Sequence, residues 1–540
     1  MMKRDDVLRV EDVVFIPPQR DPKMVAGVLK RWVTSETLSR ILGVSLEYAG
    51  EMLSALSGFA ALASLCDEYV EKRRRLGHEP EWVKELPKQV RLYLRTWFVF
   101  SDGFDPLGIM PMNRYSGFGY AVEEGGLLED VEHAFNLFRL GSVRQLAFLS
   151  IPPRLEDHQD FHTSGYYYSH TRWAHSLDVA AHMTLIGHNN ELPDYLMRHA
   201  RVAGISHDGM TPAGGDTTKL VDFDAFNEET HYGELFEREG WRDVRDKHGL
   251  SERLLFETVN GRGILGGMLD FADKLSYVAY DAYTHTGSLS LAFLYDDNEK
   301  LPVEKHYTQG YRRVAETLRD NPLVCSIWDA VAVDVDRDEV YCTDADRLAE
   351  FLRLRALLFR DIYYNPYAKS MEFVIGSVVM KFLYENGGIT REELVVNGDY
   401  WLQDKIDDVV GRFPLSRIRS VLNPRDVLKV ETYSDLKEAM QREAELTESG
   451  LYVIRESWGG GTGTGTKLKV EHEGTVTPFY EARPDEAREI TSLMTIEKPH
   501  SVIYIDADIV PPKGKFAEAF AAYRRRRAKS LKSGTSRKTR

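Results

Sequence analysis

Apolar residues recur three or four positions apart through most of the first 390 residues of this chain. The stretch 25–75 shows this spacing and closes in a charged run, which is typical of amphipathic surface helices. The stretch 343–387 predicts two long helices interrupted near Asn365–Pro366, because the residue before a proline disfavours helical backbone. The pattern therefore predicts a mainly α-helical body.

The pattern changes after about residue 395, where apolar and polar residues alternate as they do in half-buried strands. Strands are predicted within 452–458, 467–482 and 501–510, whereas 290–345 has a mixed, loop-rich composition. The predicted fold class is mainly α with a smaller α+β C-terminal region, and we find no internal repeat. We divide the chain into an N-terminal helical region at 1–125, a central helical domain at 126–390, an α+β region at 391–515 and a basic, disordered tail at 516–540.

Composition narrows the class of protein. The 540 residues are 43% hydrophobic and 28% charged, which is ordinary for a globular protein with room for two or three domains. No apolar run of about 18 residues predicts a membrane helix, and acids stand where a signal peptide needs an apolar core. Three widely spaced cysteines argue against a disulfide framework or a zinc knuckle. We therefore expect a cytoplasmic enzyme or binding protein.

Two stretches suggest contacts with phosphate but have plainer interpretations. The chain carries a net charge of −15, yet its last residues, 523–540, are strongly basic. They are interpreted as a solvated tail, with weak nucleic-acid contact as the alternative. The glycine-rich stretch 459–467 resembles a phosphate-binding loop, but a strand-like pattern follows it instead of a helix. We interpret it as a flexible hairpin loop.

Three clusters carry the candidate chemistry. The stretch 166–183 holds three histidines, an arginine and four aromatic rings, and a His207–Asp208 pair closes the next predicted helix. A later helix places acids and a tyrosine on one face, since positions four apart are neighbours on a helix: Asp270, Asp273, Tyr277 and Asp281. Each cluster alone has a plain alternative, namely an aromatic packing helix, a capping pair or a solvated face.

In order, these clusters resemble the HD superfamily of metal-dependent phosphohydrolases. A histidine, a His-Asp pair and an aspartate follow one another at separations of 32 and 65 residues. Five blocks look like those of the deoxynucleoside triphosphate triphosphohydrolases of that superfamily: 139–146, 169–176, 207–208, 273–281 and 355–366. The resemblance implies an HD domain with a helical core at 126–390.

The resemblance also implies a metal site and a nucleotide pocket. One divalent ion (Mn, Mg, Fe or Zn) would be held by His175, His207, Asp208 and Asp273. Arg172 and Lys274 would meet the phosphates, and the planar fork of an arginine suits that task. The remaining implied contacts are with the deoxyribose and the phosphates: Gln145, Tyr277, Asp281, Arg355 and Tyr363. Family members hydrolyse a dNTP to a deoxynucleoside and triphosphate, and they are commonly oligomers, so we expect a dimer or a higher even-numbered assembly.

Departures from the family fall near the proton-transfer groups. Met210 stands where a histidine is expected, and His231 matches an active-site histidine but is followed by Tyr232 instead of a glutamate. The missing groups could be replaced by an acid: Asp216, Glu228 or Glu229. Two other functions therefore stay open, a phosphodiesterase or phosphatase acting on another nucleotide and a nucleotide sensor with weak catalysis.

The other conspicuous side chains of these clusters have structural interpretations. His170 is predicted to be structural, and His182 and His188 are predicted to lie behind the site or at the surface. The aromatic side chains of 166–168 are expected to pack rather than to stack on a base.

Overall fold

The computed structural model describes residues 22–94, 126–145, 170–285, 314–410, 428–457, 468–494, 500–505 and 515–532, with a few short gaps inside these ranges. The described residues are mainly helical, with strands only from Val331 onwards. The predicted fold class is therefore confirmed. None of the described helices is both long and apolar enough to cross a membrane.

Four helices near the N-terminus share a hydrophobic core of their own: α1 (Pro22–Trp32), α2 (Ser35–Leu42), α3 (Leu46–Ser54) and α4 (Phe59–Leu76). The helical pattern predicted for this stretch is thus confirmed. Helices α2 and α3 form a tight pair, because Gly43 ends α2 with a φ of 68° that an L side chain rarely adopts. The outer face of α3 exposes Glu47 and Glu51 and has no basic residue.

The central helices surround the largest hydrophobic core. Their bounds are α5 (Leu127–Ala134), α6 (Arg172–Asn189), α7 (Asp194–Ser206), α8 (Gly215–Thr218), α9 (Glu228–His231), α10 (Trp241–His248), α11 (Glu252–Val259) and α12 (Gly263–His285). Helix α6 packs against both α7 and α12. These three helices bear the candidate ligands, so the core places the three sequence clusters side by side.

A further set of helices follows a short hairpin. Strands β1 (Val331–Asp334) and β2 (Glu339–Cys342) precede α13 (Ala345–Leu358), which continues as a π-helix over Phe359–Tyr363. A second π-helical turn at Val374–Met380 leads into α14 (Lys381–Glu385), α15 (Arg391–Val396) and α16 (Asp399–Val410). The predicted pair of helices is present, and the break at 365–366 lies outside the described residues.

The apolar stripes of these helices are core rather than an exposed interface. Phe351, Leu354 and Val378 are fully buried, and most of their apolar neighbours are equally so. Because these side chains are buried within the chain, the apolar stripes do not support self-association. The even-numbered assembly stays a prediction.

The strands lie in two small sheets. After α16 the described chain continues with β3 (Leu428–Tyr433), α17 (Leu436–Glu448), β4 (Val453–Ser457), β5 (Lys469–His472), β6 (Thr475–Pro478), α18 (Phe479–Ala482), α19 (Pro484–Leu493) and β7 (His500–Ile505). One sheet has the order β1-β2-β5-β6 and the other β3-β7-β4. The strands predicted in all three alternating stretches are confirmed. The first sheet joins strands from both sides of the division at residue 390.

Two local predictions are wrong. Residues 459–467 lie outside the described residues, but the strands that flank them, β4 and β5, belong to different sheets, so they are not connected as a hairpin. The basic tail forms a helix, α20 (Lys515–Lys532), up to the last described residue. Phe520 and Tyr523 of α20 are buried in a core, and Arg526 and Arg527 pair with Glu385 and Glu443. These arginines serve internal ion pairs, which the basic composition could not reveal.

Candidate metal centre

The candidate ligands come from the ends and centres of packed helices. Thr171 caps α6 by accepting a hydrogen bond from the amide of Ala174, and His175 lies in the first turns of that helix. Helix α7 ends directly before His207 and Asp208. At Gly204 a Cβ atom would come within 2.6 Å of the Cα of Ala180 on α6, so only glycine allows the two helices to approach this closely.

The four predicted ligands lie together. The Nε2 atoms of His175 and His207 are 3.3 Å apart, and Asp208 Oδ2 lies 3.9 and 3.8 Å from them. Asp273 Oδ1 lies 3.1 Å from Nε2 of His175 and 3.9 Å from Nε2 of His207. His175, His207 and Asp208 form a group that could hold a metal ion, and the carboxylate of Asp273 borders it.

These donor atoms fit a divalent ion. Ligands at about 2.1 Å from an ion stand roughly 3.0–3.4 Å apart in octahedral or tetrahedral arrangements. The distances from His175 Nε2 to His207 Nε2 and to Asp273 Oδ1, 3.3 and 3.1 Å, match this spacing, whereas the other pairs are 3.8–3.9 Å apart. His207 Nδ1 donates to the carbonyl of Gly204 at 2.8 Å, so its proton lies on Nδ1 and the Nε2 lone pair is available. Nδ1 of His175 is likewise engaged, at 3.0 Å from Ser276 Oγ.

Arg172 neutralises the carboxylate side of the group. Its Nη1 donates to Asp208 Oδ2 at 2.9 Å and its Nη2 donates to Asp216 Oδ2 at 2.8 Å. Burial by itself raises the pKa of Asp208, but Arg172 and the two imidazoles outweigh it and hold that pKa well below its usual range. Asp208 is thus ionised and ready to bind a cation at any ordinary pH.

A chain of ion pairs continues outward from Arg172. Lys219 donates to Asp216 at 2.9 Å and to Glu228 Oε1 at 2.7 Å, which links α8 to α9. Oε2 of Glu228 is buried and has no hydrogen-bond partner among the described residues. Burial raises the pKa of Glu228 even though Lys219 opposes the shift. Of the two glutamates considered, Glu228 joins this network, whereas Glu229 is exposed.

The other predicted substrate contacts gather further along the same face of α12. Arg355 donates through Nε to the Tyr277 hydroxyl, and the Tyr363 hydroxyl donates to Asp281. The π-helical turn after α13 brings Arg355 and Tyr363 to the same face. Gln145 donates through its backbone amide to the carbonyl of His170 at 3.3 Å, and His170 Nε2 lies 3.4 Å from Asp281 Oδ1. The structure thus pairs four of the five predicted contacts directly and links Gln145 to them through His170.

This side contains buried polar atoms that lack a hydrogen-bond partner in the described part of the chain. Gln145 Oε1 and Asp281 Oδ1 are buried and have no hydrogen-bond partner among the described residues, although His170 Nε2 lies 3.4 Å from Asp281 Oδ1. Burial raises the pKa of Asp281 to about 7, and it lowers the pKa of His170 far below its usual value. The His170 ring stacks on Tyr280 with centroids 4.5 Å apart. A neutral imidazole and an easily protonated carboxyl therefore face one another.

Several predicted residues have other partners. Lys274 donates to the carboxylate of Asp270, and His231 lies 2.6 Å from Glu234 Oε1 and 3.0 Å from the carbonyl of Asp224. Met210 is buried in the main core. Among the described residues, no hydrogen bond or ion pair joins His231 or Lys274 to the four candidate ligands. Their catalytic and phosphate-binding roles stay predictions.

The histidines at the back of α6 differ in exposure. His182 is buried and its Nδ1 lies 3.0 Å from the carbonyl of Asp178, while His188 is only partly buried. The tyrosines at 166–168 lie outside the described residues.

Two residues of the site were missed by the sequence analysis. Ser276 contacts His175 through its hydroxyl. It lies within the block 273–281, directly before Tyr277, and this position was the signal in the sequence that could have identified it. Arg139 is buried and donates to the carbonyls of Gly209 and Thr211, which shapes the loop that follows Asp208. Arg139 opens the block 139–146, so its motif was recognised but its task was not.

Comparison with known proteins gives structural likeness alone. No protein-family model matches the chain, and no curated protein does. Among solved structures, a phosphohydrolase from Bacteroides thetaiotaomicron VPI-5482 superposes with a TM-score of 0.47 at 16% identity, covering 72% of this chain and 97% of the other. A hypothetical protein from Aquifex aeolicus has a TM-score of 0.44 at 15% identity and covers 75% of this chain and 96% of the other. Neither likeness bears on substrate or mechanism, for which the site itself is the evidence.

Proposed function

We propose that this protein is an HD-type, metal-dependent phosphohydrolase whose substrate is a deoxynucleoside triphosphate or a close relative. The observation that carries the proposal is the pair of buried or half-buried imidazoles at the metal group. Their Nε2 atoms face each other 3.3 Å apart, beside an ionised aspartate, while their Nδ1 atoms are already engaged. Such an arrangement presents lone pairs to a cation.

The residues present divide the work of phosphate hydrolysis. His175, His207, Asp208 and Asp273 would hold a divalent ion, Mn, Mg, Fe or Zn, which when bound lowers the pKa of water and neutralises phosphate charge. Arg172 is positively charged at every accessible pH and lies beside Asp208, so it can donate to a phosphate oxygen. Lys274 can turn from Asp270 to the phosphates, because lysine is a flexible point charge.

The proton would be handled by the acids around Lys219. Asp216 is half-exposed and bound to Arg172, whereas Glu228 is largely buried with a raised pKa. A carboxyl group with a raised pKa is protonated more readily than an ordinary glutamate and could deliver that proton to a leaving oxygen. Asp216 and Glu228 therefore support the proposal that acids replace the histidine of the family. Met210, which stands at the position of that histidine, is buried in the core. His231 remains a candidate for the same task.

The opposite side of the pocket suits a deoxyribose. Gln145 Oε1 and Asp281 Oδ1 are buried acceptors without a donor among the described residues, and a sugar 3′-hydroxyl would donate to one of them. The Tyr277 ring lies near Tyr363, with centroids 6.5 Å apart, and would crowd a 2′-hydroxyl. These features favour a nucleotide over a simple phosphate ester. A phosphodiesterase or phosphatase acting on another nucleotide, or a nucleotide sensor with weak turnover, would keep the same metal group.

A product analysis tests the proposal. Purified protein is incubated with Mn²⁺ or Mg²⁺ and a panel of dNTPs, NTPs and monophosphates, and triphosphate, pyrophosphate and phosphate are measured separately. We expect triphosphate release from dNTPs that stops when a chelator is added. Release of phosphate alone would favour the phosphatase, and binding without turnover would favour the sensor. Light scattering with and without nucleotide and metal tests the proposed even-numbered assembly.

A further inference from the structure

Asp399, the first residue of α16, bonds to two distant parts of the chain. Its Oδ2 accepts a hydrogen bond from the amide of Arg144 at 2.9 Å, and its Oδ1 accepts one from the amide of Gly214 at 2.8 Å. A carboxylate makes stronger hydrogen bonds with amides than a neutral acceptor does. One side chain thus joins two backbone segments that are about seventy residues apart in sequence.

These two segments, here called the two walls of the candidate pocket, both contact Arg172. Arg144 forms an isolated β-bridge with Thr171, and the neighbouring Val143 carbonyl accepts the amide hydrogen of Arg172 at 2.8 Å. Gly214 directly precedes α8, whose Asp216 binds the guanidinium of Arg172. Arg172 therefore touches both walls, through its backbone on one side and its side chain on the other.

The start of α16 packs too closely against the neighbouring backbone segments for a larger side chain. A Cβ atom at Gly398 would lie 1.7 Å from Ser142 Oγ, so no other residue fits there without a shift. The carbonyl of Leu394, in α15, accepts the amide hydrogen of Ala213 at 2.8 Å. Gly214 itself has a φ of 83°, which favours glycine. The segment around Gly214 is thus contacted by both α15 and the start of α16.

We propose that Asp399 is a positioning residue that sets the spacing between the two pocket walls and so the placement of Arg172 and Gln145. It lies outside the five blocks that resemble the phosphohydrolases, in the region that the sequence assigned to a separate C-terminal part. Its effect on turnover rests on the proposed function, but its effect on the two backbone segments does not.

The test compares Asp399→Asn with Asp404→Asn, an exposed acid on the same helix that serves as control. An asparagine side chain has one acceptor oxygen, and its NH₂ group would face the second amide N–H. We expect faster hydrogen exchange, by mass spectrometry, in peptides covering 142–145 and 213–216. We also expect unchanged metal content, a melting temperature only a few degrees lower and a KM about tenfold higher for the hydrolysed nucleotide, because about one charge-assisted hydrogen bond is lost. Asp404→Asn should match the wild type throughout.

The readouts separate positioning from a general loss of stability. A partly unfolded population would lower kcat and leave KM unchanged, and that result would overturn the proposal. Exchange of both segments at the wild-type rate would overturn it as well. If the wild type hydrolyses no nucleotide, the proposed function fails, and the exchange measurement alone decides the role of Asp399.

Discussion

Asp273 and Asp281 lie two turns apart on α12, yet their carboxyl groups behave in opposite ways. Burial acts on both, but at Asp273 the hydrogen bond and charge of His175 outweigh it and lower the pKa. At Asp281 burial prevails and raises the pKa to about 7. The candidate metal side of the pocket is therefore built from paired charges, whereas at the proposed sugar side an easily protonated Asp281 faces a neutral His170.

In the proposed function, this difference lets one helix face serve two halves of a substrate. A cation and phosphates need full charges with fixed partners, whereas a sugar hydroxyl is better met by groups that both donate and accept hydrogen bonds. Tyr277, midway between the two acids, bonds to Arg355 and separates the two environments. Asp208 and Asp281 test one side each, Tyr277 tests the boundary between them, and Lys274 tests the phosphate contact next to Asp273.

The largest effect is expected from Asp208→Ala on the metal side. The variant should lose bound metal and hydrolysis, because it removes a ligand and leaves Arg172 buried with one partner fewer. Removing one member of a buried ion pair costs about 3–5 kcal/mol. Metal analysis and denaturant unfolding measure the two effects, with Asp243→Ala, an exposed acid on α10, as control. Retention of tightly bound metal would show that the ion does not sit at this group.

The next effect is expected from Asp281→Asn on the sugar side. The folded pKa, about 7, lies above the unfolded value near 3.8, so the wild type loses stability as pH rises between these values. From pH 5 to pH 8 this loss should be about 2–3 kcal/mol, and asparagine should remove it. Unfolding curves of both proteins with chelator at the two pH values give the difference. An equal pH dependence in both would mean that Asp281 is ionised throughout.

A smaller effect is expected from Tyr277→Ala at the boundary. Without the ring, a ribose 2′-hydroxyl has room, and activity on NTPs relative to dNTPs should rise about tenfold, the range expected for one steric contact. Tyr277→Phe is the matched control, since it keeps the ring and loses only the hydroxyl that Arg355 contacts. Competition assays with paired nucleotides measure the ratio. The same ratio in all three proteins would place the sugar elsewhere.

The smallest effect on stability is expected from Lys274→Ala. Its partner Asp270 is about half exposed, and such pairs contribute about 0–1 kcal/mol. KM for the nucleotide should nevertheless rise several-fold if Lys274 meets the phosphates. Asp270→Asn removes the same ion pair and should leave KM unchanged. Equal KM values in both variants would confine Lys274 to the surface ion pair.

The order of the ligands along the chain was recoverable from the sequence because helices are local structures. Positions such as Arg172 and His175, or Asp273 and Tyr277, share a face through the helical repeat alone. The strand pattern of β4 and β7 was equally readable, since alternation reports one buried face. The sequence could also show that Met210 departs from the family pattern.

Only the tertiary structure decided which distant groups meet. The bonds of Asp399 to Arg144 and Gly214, the pairing of β2 with β5 across the division at 390 and the internal ion pairs of α20 join residues far apart in sequence. The opposite pKa shifts of Asp273 and Asp281 belong here as well, because both acids look alike in sequence. A carboxyl group's pKa depends on burial and on neighbouring charges, and packing alone sets both.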